Sequence, residues 1–167
     1  MKSVAAVFLV SFAQAFSQKI HLPPTSKYVL ENGLTVVLME YNKVPVVHMR
    51  LVARGGSALD PEGFEGLASI ATTLMREGTE SRKATEIAES IDLIGGSLSS
   101  GASDDYATVV CEVLKKDVDA GLDLFSDVIL HPQFPREEVD REAKQRLAEV
   151  DGLKEDPGSV ASRGFTK

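Results

Sequence analysis

The sequence is poor in the residues from which metal sites and disulfides are usually built. It holds one cysteine, Cys111, which excludes an internal disulfide and any zinc cluster made of cysteines. Cys111 lies in an apolar stretch, where we expect a small buried side chain. The three histidines, His21, His48 and His131, are scattered, and no two of them are three or four residues apart. Two histidines that share a metal ion from one helix need such spacing, so these three indicate no helical metal site.

Positive charge and long apolar runs are scarce as well. The chain carries 18 Lys and Arg against 25 Asp and Glu, a formal net charge of −7, and it has no basic stripe, so we expect no nucleic-acid partner. No apolar stretch approaches the roughly 20 residues that a transmembrane helix needs. Hydrophobic residues make up 43% of the 167 residues, which is enough for one globular domain with a core.

Two common catalytic or binding motifs are also missing. The serines in residues 97–103 are not part of a G-x-S-x-G elbow, so they do not indicate a serine nucleophile. The glycine-rich stretch 95–101 lacks the Lys-Ser/Thr ending of a phosphate-binding loop. Both patterns are typical of turns and strand edges instead.

The N-terminus has the pattern of a secretory signal peptide. Lys2 supplies a positive charge, residues 4–12 form an apolar run, and residues 13–15 read Ala-Gln-Ala, an A-x-A cleavage site. The run is too short to span a bilayer as a helix. We therefore expect residues 1–15 to be a signal peptide, the mature chain to begin near Phe16, and the protein to be exported to a periplasmic or extracellular location.

The first half of the mature sequence predicts strands. Asn32 and Gly33 lie between two apolar stretches, residues 27–30 and 34–40, and this pattern predicts a β-hairpin. Residues 44–52 predict a third strand. Two further strands, around an Asp-Asp turn, are predicted at residues 97–103 and 106–113.

Longer stretches of helical period alternate with these strands. Four helices are predicted, within residues 66–79, 81–94, 117–130 and 136–154. In the third of them the residues expected to face the core are Val118, Leu122, Phe125, Val128 and Ile129. Strands separated by long helices predict an α+β fold with helices packed against one sheet, although periodicity does not determine the order of the strands.

The helix between Gly66 and Gly78 carries an unusual polar pattern. Its apolar stripe is formed by Leu67, Ile70, Ala71, Leu74 and Met75. Ser69, Thr72 and Thr73 lie at positions i, i+3 and i+4. This is the spacing of the inverted zinc motif H-x-x-E-H, in which two histidines hold the metal and a glutamate activates water. Here the three positions carry hydroxyl groups only.

The residues around these hydroxyls carry a family resemblance. Gly66-Leu67-Ala68 before them, and Leu74-Met75 and Glu77-Gly78-Thr79 after them, resemble the signature helix of the pitrilysin/insulinase family of zinc peptidases. The resemblance implies a mixed, largely antiparallel sheet with helices packed on one face. It also implies that zinc is the cofactor of active relatives, whereas this chain lacks the motif itself. We therefore expect no cofactor here.

The resemblance covers residues 28–167 and suggests a division of the chain. Residues 1–15 are the expected signal peptide, residues 16–27 a lead-in, and residues 28–167 the N-terminal domain of this family, truncated at its C-terminal end. Residues 156–159 predict a turn and residues 160–167 the start of a further amphipathic element. In the resembled family this point lies inside the first of several similar domains, so we expect a longer protein.

The resemblance also places the third zinc ligand of active relatives. It assigns this position to Glu149, 76 residues after Thr73, and makes Glu142 its neighbour on the same helix. Without the resemblance, both glutamates are equally compatible with a solvated, charged helix. One carboxylate without two histidines cannot hold zinc tightly, and neutral hydroxyls are poor zinc ligands. Thr72 cannot replace the glutamate base, because its hydroxyl does not titrate near neutral pH.

Three functional interpretations remain open at this point. The first is a non-catalytic family member that supports substrate binding and the assembly of a zinc peptidase together with a zinc-bearing subunit or domain. In this interpretation the resemblance implies that the edge of a strand binds an extended peptide. The candidate residues for this edge are Gly96, Ser97, Leu98 and Ser99. The second is a metallopeptidase that is active through another domain or through a site completed by a partner. The third is a purely structural assembly subunit.

Overall fold

The computed structural model describes residues 23–155 and residue 158. It divides the chain into two compact units, Met1–Val44 and Pro45–Lys167. The expected signal peptide, His21 and the predicted element at residues 160–167 lie outside the described residues.

The first unit contains the predicted β-hairpin. Strand β1, Thr25–Val29, pairs antiparallel with β2, Thr35–Met39. Gly33 adopts φ 84° in the turn, a conformation that favours glycine. The side chain of Asn32 accepts a hydrogen bond from the amide of Leu34 at 3.0 Å. The Asn-Gly prediction is thus confirmed, and β1 begins two residues earlier than the sequence pattern indicated.

The second unit is built on a three-stranded sheet. Its strands are β3, Val46–Arg54, β4, Ser97–Ala102, and β5, Tyr106–Leu114. They lie in the order β3-β5-β4, and both pairs are antiparallel. Strand β5 is central, and three of its side chains that point to one face, Val109, Cys111 and Val113, are buried. The expectation of a small buried cysteine is confirmed, and burial raises the pKa of the Cys111 thiol.

Four α-helices accompany this sheet: α1, Leu67–Leu74, α2, Ala84–Leu93, α3, Val118–Leu130, and α4, Arg136–Glu155. Helix α3 packs on β5, helices α1 and α2 contact β4, and α4 contacts α1. Two short 3-10 turns, Ser57–Leu59 and Lys115–Asp117, precede α1 and α3. The predicted α+β class is confirmed. Among the described helices, none is both long and apolar enough to cross a bilayer.

Two details of the predicted helices were wrong. Helix α1 ends at Leu74, before the expected stop at Gly78, because the chain turns into a short bridge between Gly78 and Lys83. In α3, Leu122 is 51% exposed, whereas Leu124 is buried in its place. The physical reason lies at Gly121, whose missing side chain lets the helix approach Val113: a Cβ atom there would lie 2.8 Å from both valine methyl groups.

The N-terminus of α1 is held by a residue outside the helix. The carboxylate of Asp60 accepts hydrogen bonds from the amide of Gly66 at 2.8 Å and from the amide of Ala68 at 2.9 Å. These are amides that the first turn of a helix cannot satisfy internally. Gly66 lies at the N-cap with φ 95° and has no side chain to do so. Asp60 therefore fixes where α1 begins.

The segment that follows α1 is tied to α3 by a buried carboxylate. Asp127 of α3 accepts hydrogen bonds from the hydroxyls of Thr79 and Ser81, at 2.8 and 2.9 Å, and from Arg82 at 2.5 Å. His131 lies 3.4 Å from its other oxygen. Burial acts to raise the pKa of Asp127, but the three hydrogen bonds and the charge of Arg82 outweigh it, so the pKa is lowered.

We expect the replacement Asp60→Ala to lower the free energy of unfolding by about 1 kcal/mol, because two amides of the first turn lose their acceptor. Glu62→Ala is the matched control, since Glu62 is an exposed acidic residue of the same loop. Urea denaturation of the two variants and the parent protein measures the effect. Equal stability of the two variants would contradict this role of Asp60.

Asp127 should make stability depend on pH. Its folded pKa lies below the unfolded value of about 3.9, so its stabilising effect is present above that value and is lost as pH falls through the folded pKa. Comparison of the parent with Asp127→Asn between pH about 7 and about 3 should show a difference on the order of 1 kcal/mol or more that shrinks at the acidic end. Asp123→Asn, which alters the more exposed carboxylate bound to Arg82, should have a smaller effect. A difference that does not change with pH would refute the assignment.

Candidate functional site

Two of the three hydroxyl groups of α1, those of Thr72 and Thr73, are hydrogen-bonded to carbonyl oxygens of their own helix. The hydroxyl of Thr72 donates to the carbonyl oxygen of Ala68 at 2.9 Å and lies 3.0 Å from the carbonyl oxygen of Ser69. The hydroxyl of Thr73 donates to the carbonyl oxygen of Ser69 at 3.0 Å. Thr72 is only 5% exposed. Such bonds to the preceding turn are a known way for threonine to satisfy its donor inside a helix.

The two glutamates of α4 are held by one arginine. Nε of Arg146 donates to Glu142 at 3.1 Å, and Nη1 donates to Glu149 at 3.2 Å. The amide group of Gln145 also donates to Glu149, at 3.3 Å. Glu142 is 5% exposed, whereas the side chain of Glu149 is about half exposed. The interpretation as a solvated helix therefore fits Glu149 but fails for Glu142, which lies in the interior of the unit.

Zinc does not fit these residues. Neutral hydroxyls stand at all three motif positions, and the donor hydrogens of both threonines are directed to helix carbonyls. The carboxylates of Glu142 and Glu149 are already paired with Arg146. Within residues 23–155, no group of three or more His, Cys, Asp or Glu side chains could hold a metal ion. No step of metal-dependent peptide hydrolysis can therefore be assigned to the described residues.

Strand β4 offers a different kind of site, because it is paired on one side only. Among the described strands of the second unit, its only partner is β5. The amide of Ser103 donates to the carbonyl oxygen of Tyr106 at 2.9 Å and closes the turn between the two strands. Paired and unpaired positions alternate along an antiparallel ladder, so the backbone groups of Leu98, Ser100 and Ala102 point away from β5.

This alternation distinguishes between the four predicted edge residues. Ser97 and Ser99 direct their backbone groups towards β5, whereas those of Leu98 point to the free edge. The amide of Gly96 also points away from β5, but it is used inside the protein, since it donates to the carbonyl oxygen of Ile91 at 3.0 Å. The predicted stretch is thus placed at an edge strand. The backbone groups at that edge come from alternate residues.

Arg76 links the end of α1 to this edge. Its Nε donates to the hydroxyl of Ser100 at 3.1 Å, and its Nη1 donates to the carbonyl oxygen of Leu98 at 3.4 Å. The hydroxyl of Ser100 in turn donates to the carbonyl oxygen of Thr72 at 2.7 Å. The sequence analysis missed Arg76. A basic residue directly after an apolar helix was the available signal, since such side chains commonly bind carbonyl groups at a helix end.

A groove opens beside this arginine. It has a volume of about 560 Å³ and lies between α2, the chain after α1 and the start of β4. Its apolar wall comes from Ile87, Ala88 and Ile91 of α2, and Arg76 and Leu98 lie at its border with β4. The second unit therefore brings together an unpaired strand edge, a guanidinium group and an apolar groove.

Comparison with known proteins identifies relatives of the chain. It is 28% identical over 136 residues to an uncharacterized zinc protease of Rickettsia bellii, over 81% of this chain and 33% of that protein. It is 26% identical over 128 residues to a probable mitochondrial-processing peptidase subunit beta of Arabidopsis thaliana, over 77% of this chain and 24% of that protein.

Solved structures give the same result. A peptidase M16 inactive domain from Pseudomonas fluorescens superimposes with a TM-score of 0.79 at 26% sequence identity, covering 85% of this chain and 35% of that one. The chain thus spans about a third or less of the length of these relatives. The family model of the insulinase peptidases matches residues 36–164, so the resemblance of the signature helix is confirmed. The chain belongs to the insulinase family of peptidases, peptidase family M16.

Proposed function

We propose that this chain is a non-catalytic part of a zinc peptidase, and that it supports substrate binding and assembly with a zinc-bearing subunit or domain of the same family. The observation that carries the proposal is at α1. The helix keeps its place against β4, while its three motif positions hold hydroxyls, and those of Thr72 and Thr73 are bonded to the helix itself. A residue set of this kind can support a fold but cannot activate water at a metal.

The relatives support both parts of this proposal, the non-catalytic role of the chain and its assembly with a zinc-bearing subunit or domain. The Rickettsia protein is named a zinc protease, the Arabidopsis protein is named a subunit, and the Pseudomonas structure is that of an inactive domain. We expect the partner of this chain to carry the intact zinc motif. The pattern of residues 1–15 leads us to place the pair in the periplasm or outside the cell.

Substrate binding is assigned to the free edge of β4. An extended peptide can add to such an edge by main-chain hydrogen bonds, and its side chains then alternate between the two faces of the sheet. Leu98, Ser100 and Ala102 would supply the backbone donors and acceptors, because their groups point away from β5. Groups left unpaired at an edge favour this form of binding over contact with a folded surface.

We expect hydrogen exchange to report this binding directly. When the full-length protein binds an unfolded casein peptide, exchange of the amides of Leu98, Ser100 and Ala102 should slow by tenfold or more, on the order of one added hydrogen bond. The amides of Ser97 and Ser99 are the internal control, since they already bond to β5 and should change little. Unchanged exchange at all of these positions, with peptide bound, would place the peptide elsewhere.

A second test concerns the partner. The purified protein alone should hold no stoichiometric zinc and show no chelator-sensitive peptidase activity, whereas addition of a zinc-bearing family member from the same genome should produce activity above that of this member alone. Tightly held zinc and activity in the isolated full-length protein would favour a metallopeptidase active through another domain.

The changes Ser69→His, Thr72→Glu and Thr73→His restore the zinc motif and test the position assigned to Glu149. We expect zinc affinity to rise in the full-length protein before any peptidase activity returns, because the groups that orient zinc ligands were free to change once the metal was lost. Calorimetry measures the gain.

Addition of Glu149→Gln to the triple variant provides the control. Loss of an outer-shell partner alone lowers metal affinity by about 10-fold to 100-fold, so loss of a ligand should cost at least roughly tenfold. If the triple variant folds but gains no zinc affinity, or if Glu149→Gln leaves the gain unchanged, then Glu149 does not occupy the ligand position.

A further inference from the structure

Arg76 differs from the other partly buried arginines in the groups that it binds. Arg82 and Arg146 each lie between two carboxylates. Arg76 donates to neutral acceptors, the hydroxyl of Ser100 and the carbonyl oxygen of Leu98, and no carboxylate of residues 23–153 lies within ion-pair distance of it. A guanidinium group has five N–H donors, so it retains donors for a ligand after making these two bonds.

The guanidinium group of Arg76 lies where a side chain of a peptide strand paired with β4 would point. Leu98 and Ser100 present their backbone groups at the free edge of β4, and their side chains point to the face on which α1 and α2 lie. A peptide added at this edge would direct every second side chain to that same face. One such side chain would meet Arg76, and another, two residues away, would reach the groove lined by Ile87 and Ile91.

We propose that Arg76 determines specificity at this edge, and that it selects extended peptides that carry an acidic side chain two residues from an apolar one. This inference rests on the peptide binding proposed above. Arginine and carboxylate form charge-assisted hydrogen bonds that are about twice as strong as neutral ones. The bond of Arg76 to Leu98 is long, at 3.4 Å, so a carboxylate can compete for that donor.

The remaining charges of the groove limit where the carboxylate can lie. Glu77 and Asp92 also line it, and Glu77 is paired with Arg141 at 3.4 Å. These carboxylates disfavour an acidic residue deeper in the groove, which leaves that place to the apolar side chain. The free edge continues past Ser100 to Ala102, so a peptide that uses the whole edge does not end at Arg76. The carboxylate is therefore assigned to a side chain rather than to a peptide C-terminus.

Position-scanned synthetic peptides test the inference. The set consists of nonapeptides of Thr and Val with an acetylated N-terminus and an amidated C-terminus, in which each position in turn is Glu, Gln or Lys, together with one Thr and Val nonapeptide whose C-terminus is free. Binding to the full-length protein is measured by fluorescence anisotropy. We expect Glu to bind roughly tenfold more tightly than Gln at one position, with Lys weakest there. Arg76→Gln should remove this preference, and Arg76→Lys, which keeps a cation without the planar fork, should reduce it.

Arg50→Gln is the matched control, because Arg50 lies on β3 with an exposed side chain on the opposite face of the sheet. This variant should leave the preference for Glu unchanged.

Equal binding of Glu and Gln peptides at every position would overturn the role of Arg76 but would not contradict peptide binding at the edge of β4. If no peptide binds, the proposed function fails together with this inference. Preference for a free over an amidated C-terminus, without one for Glu, would overturn the assignment to a side chain. If Arg76→Gln does not fold, an undiminished preference in Arg76→Lys overturns the role of the guanidinium fork.

Discussion

Burial of one face of β5 is the constraint on which the second unit depends. Val109, Cys111 and Val113 are almost completely excluded from solvent, with Cys111 at 0% and Val113 at 1% exposure. Strands β3 and β4 pair with β5 on either side, and α3 covers its buried face. The fit is close enough that Gly121 of α3 has no room for a side chain over Val113. Every other element of this unit is placed relative to that layer.

Helix α1 is held by its packing, although its three motif positions carry no zinc ligands. Leu74 is 2% exposed, and the carbonyl oxygen of Thr72 binds Ser100 of β4, so the helix is held by contacts that do not involve a metal. Adjacent threonines cost a helix a few tenths of a kcal/mol each, because β-branched side chains lose rotamer freedom. Packing on β4 and the carboxylate of Asp60 outweigh that cost.

The order and type of the elements were largely predictable, since they follow from short-range patterns. The Asn32-Gly33 turn, the strands around residues 97–114 and the helices all occur where the pattern indicated. The predictions were wrong where contacts between residues far apart in the sequence determine which side chains are buried. Leu122 fits the helical period as well as Leu124 does, and only the contact between Gly121 and Val113 selects the face that is buried. Glu142 gave no signal of burial, because its charged neighbours Arg141 and Arg146 are typical of an exposed helix.

The sequence by itself determined the family and the absence of the zinc motif, because both depend on which residues stand at positions 66–79. Tertiary structure alone decided how the helix is used. Asp60 meets the amides of α1, and Arg76 meets Leu98 at the strand edge, across 22 residues of chain. Asp60 lies within eight residues of the amides that it binds, whereas the contact of Arg76 with Leu98 depends on how the fold brings separate segments together. The sequence shows that residue 76 is a positively charged arginine, but only the fold places this side chain beside the unpaired edge of β4.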